Sequence, residues 1–366
     1  MKKIMQVIWG LGGGGKERRL IQLVNGLHAA GGYEQTLVSM SATNDYKGQF
    51  EDHVDYVVID GGGKWARCKA LMKVIREKRP DIIHLWDNTP AWVLLLPYLK
   101  LRYRFKYVAG FITEAHPVKR FSSQAFTNRI AFSCADAIVS NSRACLASKR
   151  TPRRKSHVIY NGFDFARFDA PDFDRSEYRQ SLGIADNQLV ATMVARFTPN
   201  KDYAMLVEVA EKVSDMTDVV FLAVGKGETL EPTQQLCREK GLENVRFLGF
   251  RSDVEKILMC SDAGLLFTNS KVHAEGISNS ILESMAAGLP VIATDGGGTP
   301  EIVERGVSGY IVEPSDSDGA AMLLRQLFGS EGLRKEIGSN AKERIIKSFT
   351  LDAMTNKYID FYNRLK

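Results

Sequence analysis

No stretch of the 366-residue chain approaches the roughly 18 consecutive apolar residues that a membrane-spanning helix requires. The densest apolar run, AWVLLLPY, is short and carries a proline. Cysteine is sparse. The five residues Cys68, Cys134, Cys145, Cys237 and Cys260 are odd in number, widely spaced and form no C-x-x-C pair, which excludes a disulfide framework and a zinc ribbon. They fit a reducing cytoplasm. Residues 1–9 contain two lysines and a brief apolar run but no small-residue cleavage site, so they read as a first strand rather than a leader. Zinc-finger spacing, aromatic RNA-binding signatures and long basic runs are all lacking, and nucleic acid is not an expected partner.

What is present is ordinary in bulk and uneven in distribution. Apolar residues make up 44% and charged residues 25%, as in globular proteins, and the length exceeds the size at which one core stops growing. Two domains are therefore expected. The net charge of +6 hides an asymmetry: residues 1–165 carry 26 Lys and Arg against 13 Asp and Glu, whereas residues 166–366 carry 23 against 30. A basic first half suits an anionic partner such as a membrane surface or a phosphorylated substrate, although solvated helix faces would give the same count. Segment 64–80 concentrates the effect, with seven basic residues against one acid and Trp65, Leu71, Met72 and Ile75 interleaved. It reads either as an amphipathic helix on an anionic leaflet or as the packed helix before the fourth strand.

Short apolar runs alternate with helical patterns along both halves, the signature of βα units and parallel sheets. Strands are expected near 4–8, 36–39, 56–59, 82–85, 107–111, 137–140 and 157–160. After a polar break at 168–188 they resume near 190–194, 219–224, 245–247, 263–267, 291–293 and 309–312. Leu20, Leu23, Val24 and Leu27 define one face of a first helix, and Met354, Tyr358, Phe361 and Leu365 define a face of the last. The fold class is α/β, two doubly wound Rossmann-like domains with ligands beyond the carboxyl ends of their strands. The expected limits are 1–168, 169–350 and a C-terminal helix, 351–366, returning to the first domain.

Three segments carry candidate chemistry. In the first, GLGGGGKERR, Gly10, Gly12 and Gly15 satisfy a dinucleotide pattern, and Gly10, Gly15 and Lys16 begin a P-loop. Glu17 stands where a P-loop needs a hydroxyl for magnesium, which weakens that match. A flexible strand-to-helix turn remains the plain alternative. In the second, VATMVARFTPNKDY, Arg196 and Lys201 lie at a strand end, where a guanidinium fork and an ammonium suit a diphosphate. The turns at Gly225 and at Gly249–Phe250 are placed to line a nucleobase slot. In the third, AEGISNSILESMAAGLPVIATDGGGTPEIV, Glu275 precedes a helix start near 278–280 and Glu283 lies inside it. Helix N-termini attract anions. Glu275 is suited to sugar hydroxyls, while Glu283 either accepts both hydroxyls of a ribose or closes an S-x-x-E capping box with Ser280. Two D-x-D matches, at 172–174 and 316–318, read as solvated turns rather than metal ligands.

These segments together resemble the family 4 retaining glycosyltransferases of the GT-B fold, which transfer sugars from nucleotide diphosphate donors. The resemblance spans nearly the whole chain. It rests on the E-x7-E pair within EG…ILE-M–GLPV-AT…GG-PEIV, on R-x4-K at Arg196 and Lys201, on NGFDFARF before the linker, and on GGKER after the first strand. It implies that Arg196 and Lys201 bind the donor pyrophosphate, Glu283 the ribose and Glu275 the transferred sugar. The backbone of Ser278, Asn279, Ser280 and Ile281 would complete the cradle, and Gly14, Gly15 and Lys16 would approach the donor from the first domain. His116, in GFITEAHPVKRF, matches the family's T-H position near the reacting sugar, although Pro117 replaces the usual glycine.

The implied activity is retaining transfer of a hexose, a UDP-sugar being favoured, to a glycan or lipid-linked glycan in cell-surface polysaccharide assembly. No metal or other cofactor is expected, and the location is cytoplasmic with a peripheral place at the inner membrane face compatible with the charge. A nucleotide-sugar epimerase of the same fold and a non-catalytic glycan-binding or scaffold subunit are the alternatives.

Overall fold

The computed structural model describes residues 1–87, 90–112, 115, 117–119, 121–269 and 274–365. The chain forms two compact units, one comprising Met1–Gly162 with Leu351–Lys366 and the other Phe163–Thr350. The division falls after Gly162, six residues before the limit read from the sequence.

In the first unit, strands β1 (Lys2–Ile8), β2 (Tyr33–Ser39), β3 (Asp55–Val58), β4 (Ile82–Leu85), β5 (Lys106–Ile112), β6 (Ala137–Ser140) and β7 (Ser156–Val158) form one sheet in the order β3-β2-β1-β4-β5-β6-β7. All pairings are parallel. Residues of β4 (IIHL) and β6 (AIVS) are buried on both faces, which is why the two strands are mostly apolar in the sequence, His84 and Ser140 being the polar exceptions. In the second unit, β8 (Leu189–Val194), β9 (Val219–Val224), β10 (Val245–Gly249), β11 (Ala263–Leu266), β12 (Val291–Thr294) and β13 (Tyr310–Val312) follow the order β10-β9-β8-β11-β12-β13, again all parallel. The expected architecture of two doubly wound parallel sheets is the one found.

Strand order reverses between β1 and β4 in the first sheet and between β8 and β11 in the second. Loops leaving the two strands at such a point diverge to opposite faces and open a crevice at their carboxyl ends. The sequence places GLGGGGKERR after β1, ARFTPNK after β8 and the Glu275 segment after β11. Within each unit, topology alone therefore places that unit's candidate residues at its own switch point.

The first unit's core explains where the last helix goes. Leu20, Leu23, Val24 and Leu27 of helix Gly15–Ala30 are fully buried against Met354, Tyr358, Phe361 and Tyr362 of helix Leu351–Arg364, with Leu365 partly buried beside them. The Tyr362 hydroxyl accepts a hydrogen bond from Gln6 Nε2 at 3.1 Å and lies 2.6 Å from His84 Nδ1, which ties the returning helix to β1 and β4. Helix Lys64–Lys78 buries Cys68, Leu71, Val74 and Ile75, so its apolar residues serve packing, while Trp65 stays exposed. No helix among the described residues is long and apolar enough to cross a membrane.

Candidate active site

In the second unit, the loop that leaves β8 turns sharply over Arg196–Lys201 and enters helix Tyr203–Lys212, whose N-cap is Asp202, accepting from Met205 N–H at 3.0 Å. Lys201 is held twice. Its backbone forms an antiparallel bridge with Thr268, just after β11, and its ammonium makes an ion pair with Glu275. The pair is largely enclosed, and the second carboxylate oxygen of Glu275 is buried with no hydrogen-bond partner. A buried carboxylate oxygen without a donor is costly and marks a place where a ligand hydroxyl would fit. Arg196, on the same loop, is exposed, and no carboxylate among the described residues pairs with it.

Glycines bring the neighbouring loops into contact. Gly225, after β9, has φ +146°, and a Cβ there would lie 1.9 Å from the Ala195 carbonyl oxygen. Gly225 N–H donates to Gly249 O at 2.8 Å, which joins two of the residues expected at the nucleobase slot. Phe250, the third, projects into solvent at 68% exposure with Lys226 Nζ 4.8 Å from its ring centroid. On the other flank, Gly297, at φ +55°, lies so close to Glu275 that a Cβ would come within 1.8 Å of its carbonyl oxygen. Gly298 N–H donates to that same oxygen at 2.9 Å. The GGG turn after β12 thus fixes the backbone from which Glu275 projects.

Helix Asn279–Ala286 begins at N-cap Ser278, whose side chain makes no capping hydrogen bond. The capping box read from Ser280 and Glu283 is consequently not formed: the helix starts two residues earlier, and Ser280 lies inside its first turn. The first N–H groups of such a helix, at Asn279, Ser280 and Ile281, have no intrahelical acceptor and point out of its N-terminus. Glu283, 7% exposed, instead accepts a hydrogen bond at 2.9 Å from Nη1 of Arg167. The same guanidinium forms an ion pair with Glu255. Burial opposes the Arg167 charge, but the Glu283 and Glu255 carboxylates outweigh it and raise its pKa.

Arg167 lies within the NGFDFARF motif, which is the only signal of it in the sequence. Asp164 caps the short 3-10 helix Phe165–Phe168 by accepting from Ala166 N–H, and Phe163 lies under the Arg167 guanidinium at 5.4 Å. The two D-x-D matches have structural employment: Asp174 caps helix Arg175–Ser181 and Asp316 caps helix Ser317–Phe328. No group of three metal-ligating side chains occurs among the described residues.

The first unit carries the other candidates. Gly14 is the extended N-cap of helix Gly15–Ala30 and offers no side chain to the helix mouth. Lys16 forms an ion pair with Asp87, beyond β4, and Asp87 also accepts from Trp9 N–H at 2.6 Å. The loops flanking the β1/β4 reversal are thereby joined through Asp87, which the sequence reading did not single out. His116 lies outside the described residues.

Two halves, each a parallel sheet with polar and glycine-rich loops at its switch point, define a GT-B fold. A family model described as Glycosyltransferase Family 4 matches residues 13–167, and one described as Glycosyl transferases group 1 matches residues 174–344. The chain belongs to the family 4 glycosyltransferases. It is 28% identical to an N-acetyl-alpha-D-glucosaminyl L-malate synthase of Bacillus anthracis over 58% of its own length and 54% of that protein, so it aligns with about half the length of that relative. It is 26% identical to the lipopolysaccharide core biosynthesis glycosyltransferase LpsE of Rhizobium meliloti over 94% of this chain and 95% of that one. Among solved structures, Anabaena HepE in complex with UDP and glucose matches with a TM-score of 0.83 at 23% identity, covering all of both chains.

Proposed function

We propose that this chain is a retaining glycosyltransferase that moves a hexose from a nucleotide diphosphate sugar, by preference a UDP-sugar, to a glycan or lipid-linked glycan in cell-surface polysaccharide assembly. The observation that carries the reading is the Lys201–Glu275 pair at the β8/β11 switch point, with a buried carboxylate oxygen that has no donor, and Arg196 on the same loop no carboxylate partner, among the described residues. A sugar diphosphate satisfies all three groups at once: sugar hydroxyls donate to Glu275, and the phosphates take Lys201 and Arg196. The similarity to LpsE, a lipopolysaccharide core biosynthesis glycosyltransferase, over nearly the whole chain supports the reaction class.

In this reaction the bond between the anomeric carbon and the phosphate oxygen breaks, and a diphosphate leaves. Cations and helix N–H groups placed where that charge develops lower the barrier. The acceptor hydroxyl attacks from the same face and passes its proton to the departing phosphate, so no pair of protein carboxylates is needed, in contrast to glycoside hydrolysis. His116 is assigned to the donor sugar, and Lys16 with the Gly14–Gly15 turn to the diphosphate or acceptor. The basic first half suits a site at an anionic membrane surface.

The test is a thermal-shift screen of nucleotide sugars followed by mass spectrometry of the best hit with candidate acceptors, and proton NMR of the product's anomeric centre. Arg196→Ala is the decisive variant, because an exposed residue with no ion-pair partner among the described residues can be removed without disturbing the fold. Stabilisation by a nucleotide sugar, acceptor-dependent transfer with retention, and loss of transfer in R196A are expected. Stabilisation by none of the nucleotide sugars, or normal turnover by R196A, overturns the reading.

A further inference from the structure

Arg167 belongs to no role derived so far, yet it makes a largely enclosed double ion pair in the second unit. One face of its guanidinium covers Phe163, itself 3% exposed, one nitrogen bonds Glu283, and another pairs with Glu255 in helix Val254–Met259. Such an arrangement is over-specified for a surface charge. Exposed ion pairs contribute little and are held loosely. Here the 3-10 helix, the Asp164 cap and the aromatic floor of Phe163, Phe165 and Phe168 fix where the guanidinium points.

We propose that Arg167 is a positioning residue for nucleotide recognition: it locks the Glu283 carboxylate, through Oε1, in the orientation that accepts the ribose hydroxyls, and Glu255 is the counter-anchor that locks Arg167. This rests on reading Glu283 as the ribose partner. A carboxylate offers about four acceptor positions, and the bond from Arg167 to one oxygen fixes the orientation of the group. The planar fork matters as well as the charge, because two carboxylates on different helices must be held at once. A lysine, with a single point charge, cannot reproduce that geometry. Arg167 acts through Glu283 and is not assigned a contact with the nucleotide.

The experiment compares binding of UDP, GDP and ADP with that of their 2′,3′-dideoxy counterparts by isothermal titration, in the full chain and in Arg167→Met, Arg167→Lys and Glu283→Ala. Two hydrogen bonds to a charged acceptor give the ribose form an advantage of at least about 100-fold. In R167M that ratio is expected to collapse toward unity while affinity for the dideoxy form stays at the wild-type level. R167K should retain an intermediate ratio, and it carries the test if R167M fails to fold. A wild-type ratio in R167K or R167M, beside a collapsed ratio in E283A, overturns the inference and leaves the ribose reading standing. An unchanged ratio in E283A overturns the ribose reading itself.

Discussion

Lys201 and Glu275 lie 74 residues apart in the sequence and form an enclosed ion pair at the carboxyl ends of two adjacent strands, β8 and β11. Neither strand needs the pair for its own hydrogen bonds. Its position at a switch point, and the second oxygen of Glu275 that has no partner among the described residues, are what the proposed function rests on.

Glu275→Ala and Lys201→Met should each lower transfer by about 10²- to 10³-fold, the range for removing one preorganised electrostatic contact. The variants differ in what they leave behind. E275A strands an ammonium on a side chain 10% exposed, whereas K201M strands a carboxylate on a side chain 21% exposed, so E275A should melt at the lower temperature. Combining both substitutions should restore part of the melting temperature without restoring activity. Initial rates and thermal melts across the double-mutant cycle check this, and additive losses in melting temperature would show that the pair is not coupled.

Gly297→Ala tests whether backbone geometry alone sets the reactivity of Glu275. The new Cβ would meet the Glu275 carbonyl oxygen at 1.8 Å, in a left-handed conformation that alanine resists. A shift of about 1 Å in a reacting group costs on the order of 10²-fold in rate. Activity is expected to fall by at least that factor, with far-UV circular dichroism retained. Gly332→Ala, in helix Glu331–Ser348, meets nothing closer than 4.0 Å and should leave the rate unchanged. Equal rates for the two variants would remove the GGG turn from the site.

The strands were legible because central parallel strands are buried on both faces and leave apolar runs of four to six residues that few other environments require, as in VVFLAV of β9. Helix 351–366 was legible for a related reason, since its apolar spacing matched the stripe on the first helix that needed covering. Charge pairing was not legible. Lys16 meets Asp87 across 71 residues and Arg167 meets Glu283 across 116, and nothing local to either partner encodes the other. The capping box failed for the opposite reason: S-x-x-E is a purely local signal, and here Arg167, a non-local partner, takes the glutamate instead.

His84 makes the first unit acid-sensitive. Complete burial, with the positive Arg19 adding to it, holds its pKa well below 6.5, so the folded state keeps a neutral imidazole beside Tyr362. In the unfolded chain the ring titrates near 6.5. The unfolded state therefore binds the extra proton, and the stability contribution is present above that pH and lost as pH falls below it. The loss amounts to about 1.4 kcal/mol per pH unit. Thermal melts at pH 8, 7, 6 and 5 should fall more steeply for the wild type than for His84→Gln below pH 6.5. Parallel curves would mean that other groups govern the acid limb.

Under the proposed function, a substitution at Phe250 tests recognition of the base apart from recognition of the phosphates. At 68% exposure it contributes little to the core, and its truncation should shift stability by no more than about 0.5 kcal/mol. Stacking of a base on an aromatic ring is worth about 1–3 kcal/mol. If the turns at Gly225 and Gly249 form the nucleobase slot, Phe250→Ala should weaken UDP binding by about 5- to 150-fold, the same stacking energy expressed as an affinity. Inorganic pyrophosphate, which has no base to stack, should bind F250A and wild type alike, because Arg196 and Lys201 are untouched. Titration calorimetry with both probes decides the point. Equal weakening of UDP and pyrophosphate would place Phe250 in the support of the phosphate loop, and unchanged binding of both would place the base elsewhere.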